Sequence, residues 1–126
     1  MIDHVSIAAR DLKKAEAFYT AVLAPLGMTK LREWPDAAIG YGKTYPDFWI
    51  NRREAMSRVA DDSGVHICLR ASDSSAVDAF HAAALKAGGT SDGAPGTRAK
   101  YHLNYYAAFI RDPDGNRIEA VTFLRG

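Results

Sequence analysis

The chain has 126 residues, the length of one domain that buries roughly two thirds of its unfolded surface, so a core forms without disulfides or structural zinc. Lysine and arginine number 16 against 15 aspartate and glutamate, and a formal charge of +1 argues against a nucleic-acid backbone or an anionic membrane as partner. One cysteine, Cys68, and no apolar run long enough for a signal peptide or membrane span give the expectation of a soluble, cytoplasmic chain.

Residues 2–9 alternate, with His4, Ser6 and Ala8 on one face and Val5, Ile7 and Ala9 on the other, the pattern of a half-buried strand. Asp11 is placed to cap a helix whose apolar stripe is Leu12, Ala15, Phe18, Tyr19, Val22 and Leu23, stopped by Pro25 and Gly27. Residues 28–34, 37–42 and 47–50 read as three short strands separated by turn formers. The polar stretch 51–64 connects two halves. Residues 65–71 then alternate again, with His66, Cys68 and Arg70 on one side. Asp73 caps a second helix striped by Ala76, Val77, Phe80, Ala84 and Leu85 and ended by Gly88-Gly89. The glycine-rich stretch 90–104 is expected to hold one short strand near residues 99–103 and a binding loop. Residues 105–123 form a hairpin, with Asp112-Pro113-Asp114-Gly115 as its type I turn.

The halves superpose without a gap at a constant shift (66 − 4 = 62), pairing His4 with His66, Asp11 with Asp73, Phe18 with Phe80 and Gly27 with Gly89. Agreement across a strand and a helix indicates duplication. The predicted fold is therefore α+β: two tandem βαβββ modules, about 1–52 and 64–126 with a linker at 53–63. Together they form a curved mixed sheet with helices on its convex side. The concave side is free for a ligand.

Glu119 lies inside the last strand on the same face as Val121 and Phe123, where an unpaired buried charge costs several kcal/mol. By the repeat, His4 and His66 both face the concave side. Two histidines and a carboxylate on rigid strands, with open coordination positions, form a facial triad suited to divalent iron, manganese, nickel, cobalt or zinc. The competing reading pairs Glu119 with Arg70 or Arg98. Cys68 shares the face of His66 and is read as a small buried apolar residue, with a soft ligand as the alternative.

The repeat, with His4-Val5, His66-Ile67, Phe18-Tyr19 and the hairpin from Phe109 to Glu119, resembles the vicinal oxygen chelate superfamily. That superfamily includes glyoxalase I, fosfomycin-resistance transferases, extradiol dioxygenases and bleomycin-resistance proteins. The resemblance implies metal ligands at His4, His66 and Glu119, with one divalent ion chelated by adjacent oxygens of a small substrate and Glu119 also serving as a proton-transfer base. It further implies a homodimer in which His4 acts in its own chain or across the two-fold axis. The chain departs from glyoxalase I in having Trp49 where that enzyme has a fourth-strand glutamate, and from the extradiol dioxygenases in having Phe109 where they have tyrosine. Candidate substrate-binding residues are Trp49, Tyr101 and Tyr105 as aromatic walls and Arg70 and Arg98 as anion partners. The expected function is a metal-dependent lyase, isomerase or thiol transferase. The alternatives are an extradiol dioxygenase and a metal-free sequestering protein of the bleomycin-resistance type.

Overall fold

The structure is a computed structural model that describes residues 1–125. The first module runs β1 (Val5–Ala9), α1 (Leu12–Leu23), a single 3-10 turn, β2 (Thr29–Trp34), β3 (Ala38–Gly42) and β4 (Phe48–Arg52). The second repeats the order with β5 (His66–Arg70), α2 (Ser74–Lys86), β6 (Thr90–Thr97), β7 (Tyr105–Arg111) and β8 (Arg117–Phe123). Both helices start as their sequences dictate: Asp11 Oδ1 accepts from the Lys14 N–H at 3.1 Å and Asp73 Oδ1 from the Ala76 N–H at 2.8 Å.

The hydrogen-bond ladders form two four-stranded sheets with the same plan, β1-β4-β3-β2 and β5-β8-β7-β6. In each, the first strand runs parallel to the last and the remaining pairs are antiparallel. The modules are thus the expected α+β units, each with its own mixed sheet. One face of each sheet is covered by its helix, and α1 packs on α2, so a single core runs through both modules. Phe18, Tyr19, Val22, Val77 and Phe80 are fully buried there.

One element lies elsewhere than expected. The strand placed near residues 99–103 is found at Thr90–Thr97, and residues 98–104 form turns instead. Two glycines, Gly93 and Gly96, and Pro95 hide this strand from a propensity reading. The glycine at 93 is required by packing, because a Cβ there would meet the Phe109 ring at 2.9 Å. The ladder is irregular at that point, with register shifts between Ser91 and Gly93 and again before Gly96.

The modules are joined by polar contacts as well. Asp112, only 2% exposed, accepts the Tyr19 hydroxyl at 2.6 Å, the Asn116 amide at 2.9 Å and the backbone N–H groups of Asp114 and Asn116 at 2.9 Å each. Asn116 also donates to the Ala8 carbonyl at 2.9 Å, and Arg10 Nε to Asp114 at 2.7 Å. The turn of the last hairpin is therefore fastened to the end of β1 and to α1. That fixes the sheets' helix-covered sides against each other and leaves their opposite faces open.

Candidate functional site

On the open face of the second sheet, strand register decides which side chains surround Glu119. Its Cα pairs with Cys68 of β5 on one side and Phe109 of β7 on the other. Directly paired residues and those two positions away share a face, so His66, Cys68, Arg70, Tyr105, Phe109 and Phe123 all belong to the Glu119 face. Glu119 is 3% exposed, whereas the His66 side chain is 49% exposed. His66 Nε2 lies 3.1 Å from Glu119 Oε1, and the Tyr105 hydroxyl donates to Glu119 Oε2. Burial, and then the bond to Glu119, push the Tyr105 phenol well above its ordinary value.

Neither arginine expected as a competitor pairs with the carboxylate. The Arg70 guanidinium lies over the Phe123 ring at 4.9 Å. Arg98 lies over Phe109 at 5.5 Å and donates to the Ala94 carbonyl at 2.7 Å. Among the described residues His66 is the ion-pair partner of Glu119. Cys68 is exposed, not buried as its size suggested, because β5 is the sheet's edge strand. Although the residue as a whole is exposed, the neighbouring side chains on the sheet face partly desolvate its sulfur, and this together with the adjacent Glu119 charge pushes the thiol up to about 12, so it stays neutral. The turns at 98–104 bring aromatic rings to the rim: Tyr101 meets Tyr105 edge-on at 5.2 Å, and His102 and Tyr105 meet Phe123 at 5.4 and 5.5 Å.

His4 and Trp49 lie on the open face of the first sheet. With Trp34, Tyr45 and Asn51 they line a cavity of about 310 Å³. Trp34 and Trp49 pack 5.2 Å apart at 34°, and Trp49 Nε1 donates to the Pro46 carbonyl at 2.9 Å. A Cβ at Gly40 would meet the Trp49 indole at 2.9 Å, so the missing side chain there lets the ring lie across β3. His4 Nδ1 is 2.7 Å from Asp3 Oδ1.

The chain thus brings His66 and Glu119 together and leaves His4 apart. Among the described residues no three His, Cys, Asp or Glu side chains converge as a metal set. The pair itself fits an ion. Two adjacent ligands about 2.1 Å from one metal at a right angle stand about 3 Å apart, close to the observed separation. Tyr105, read from sequence as a wall, is the second partner of Glu119. The hairpin register carried that signal: pairing Phe109 with Glu119 places Tyr105 on the same face.

The sequence model of the Glyoxalase/Bleomycin resistance protein/Dioxygenase superfamily matches residues 1–120, and the chain belongs to that superfamily. It is 31% identical to a glyoxalase/bleomycin resistance protein from Albidiferax ferrireducens, with a TM-score of 0.79 over 94% of this chain and 95% of that one. A glyoxalase/bleomycin resistance protein/dioxygenase family enzyme from Burkholderia phytofirmans is 21% identical, with a TM-score of 0.73 over 98% of both chains. Glyoxalase I from Zea mays has the same fold at 22% identity and a TM-score of 0.72, this chain covering 44% of its length. No curated protein matches.

Proposed function

We propose that this chain is a divalent-metal-dependent enzyme acting on a small substrate with adjacent oxygens, its ion held by His66, Glu119 and His4. The observation that carries this reading is a carboxylate 3% exposed whose ion-pair partner is a half-exposed imidazole, with no lysine or arginine paired to it among the described residues. A bound cation offsets the cost of burying that charge. When bound, the ion supplies Lewis-acid stabilisation of an enolate or oxyanion. Glu119 and His66 fix it to one side of the open face. Tyr101 and Tyr105 wall the substrate, and Arg70, which makes no hydrogen bond or ion pair among the described residues, takes an anionic group; Arg98 sits at the rim.

His4 and Trp49 lie on the open face of the first sheet, and His4 also lines a cavity of about 390 Å³ with Cys68 and Arg70 of β5; the reading takes the form of a homodimer in which the first sheet of one copy covers the second sheet of the other. The exposed apolar side chains on and beside these faces support it: Trp34, Tyr45, Val65, Tyr101, Leu103 and Phe123. The setting is cytoplasmic, and no helix of the described residues is long and apolar enough to cross a membrane. The reaction class is lyase or isomerase chemistry or thiol transfer, with extradiol oxygenation as the variant if the ion is iron.

A second reading, metal-free sequestration of a planar molecule, is favoured by the Trp34 and Trp49 rings and by both Glu119 oxygens already accepting bonds. Metal content per chain separates the two. Near-stoichiometric metal in the wild type that disappears in His66→Ala and Glu119→Ala supports the enzyme; a wild type that stays metal-free after reconstitution leaves only sequestration.

A further inference from the structure

We infer that the seam between the two sheets is a binding site for a carboxylic acid with an aliphatic chain. β1 and β5 each end their own ladder, and among the described residues no strand bridges them. An edge strand without a neighbour leaves its flank uncovered. Val5 of β1 and Ile67 and Leu69 of β5 accordingly pack against the core yet are only partly buried. With the buried Met28 and Phe48 they form the apolar lining of the cavity of about 390 Å³ that also reaches His4, Cys68 and Arg70. That volume suits a small molecule, and a flexible methionine among branched side chains accommodates an aliphatic chain better than a rigid ring.

The charge of the ligand follows from Lys43 and Arg70. Both line this cavity, and neither makes a hydrogen bond or an ion pair among the described residues. The Lys43 stem runs beside the apolar lining, since a Cβ on Gly27, the neighbour of Met28, would meet its Cε at 3.7 Å. The Arg70 guanidinium rests on the Phe123 ring at 4.9 Å, a contact that uses none of its donors. Asp3 and Asp47 also line the cavity, and neither pairs with these cations. Asp3 accepts the Tyr45 hydroxyl at 2.9 Å and lies 2.7 Å from His4 Nδ1, while Asp47 is exposed to water. Unpaired ammonium and guanidinium donors beside an apolar cavity match a carboxylate carried on an apolar chain. A neutral molecule of the same shape would leave both donors unused. The inference shares Arg70 with the metal-dependent reading but needs no ion, and the seam is a site that reading does not use.

The test titrates the full-length protein, as purified and after chelator treatment, with octanoate and decanoate by calorimetry below their micelle concentrations. The expected result is saturable binding at a single site in both preparations, with Kd falling about three- to fourfold per added CH2. 1-Octanol, which keeps the chain and loses the charge, should bind about tenfold more weakly than octanoate, and Lys43→Gln and Arg70→Gln, both at exposed positions, should each weaken decanoate binding about five- to tenfold. Cys68 reports the location: bound decanoate should slow N-ethylmaleimide labelling of this single cysteine several-fold. No decanoate binding, or binding that leaves both the Cys68 labelling rate and the Lys43→Gln affinity at their unliganded and wild-type values, overturns the proposal. Octanol binding as tightly as octanoate overturns the acid as the ligand class. A failure of the metal-dependent reading shows instead as a chain without metal, and decanoate binding by that same chain leaves this inference standing.

Discussion

The chemistry of single residues on the open face is governed by one buried charge. Partial desolvation, and after it the Glu119 carboxylate, keep the Tyr105 phenol and the Cys68 thiol in their protonated forms, both above their ordinary values. For Cys68 the consequence is measurable. With the thiol near 12, iodoacetamide at pH 8 is expected to alkylate it one to two orders of magnitude more slowly in the folded, metal-free chain than in urea, since thiolate fraction falls faster than nucleophilicity rises. Glu119→Gln removes the charge and leaves the side chain's size, so it should recover part of that rate. An unchanged rate in that variant would mean that shielding, not charge, slows the reaction. The sequence located Glu119 and the need for a partner. It could not choose the partner, because the histidines and the arginines Arg70 and Arg98 were alternatives until the rings of Phe123 and Phe109 claimed the arginines, and Tyr105, read only as a wall, was missed.

Among the elements, the hairpin β7–β8 does two jobs with its two ends. Its strands carry the site, and its turn fastens the second module to the first through Asp112, Asp114 and Asn116. Burial raises the Asp112 carboxyl, against the lowering pull of the Tyr19 and Asn116 hydrogen bonds. Asp112→Ala should therefore strand the Tyr19 hydroxyl and two backbone N–H groups and cost about 3 kcal/mol or more in urea unfolding, whereas Tyr19→Phe should cost about 1 kcal/mol. Near-equal losses for the two would show that the backbone N–H groups find other partners. The turn itself was legible because Asp-Pro-Asp-Gly fixes its own geometry. Strand β6 was not, since Gly93 is explained by the Phe109 ring, a neighbour from another strand.

At the scale of the whole molecule, duplication supplies two open faces, one on each four-stranded sheet. If a site needs His4 from one copy and His66 and Glu119 from another, His4→Ala and Glu119→Ala are each metal-poor alone. Refolded together in equal amounts they should recover about a quarter of the wild-type metal, because about half the dimers are mixed and each mixed dimer has one intact site of two. No recovery on mixing, with dimers present, would place His4 in its own chain's site or in none.

By itself the sequence determined the module order, both capped helices, the repeat that equates His4 with His66, and a carboxylate inside the last strand that needs a partner. These follow from period, caps and turn chemistry, all of which act within a few residues. Only the tertiary structure decided that the strands form two sheets, that Tyr105 and His66 take the two oxygens of Glu119, and that His4 stands on the other face. Those outcomes depend on strand register and on how two modules share one core. Both are set by contacts between residues far apart in the chain, where local pattern carries no information.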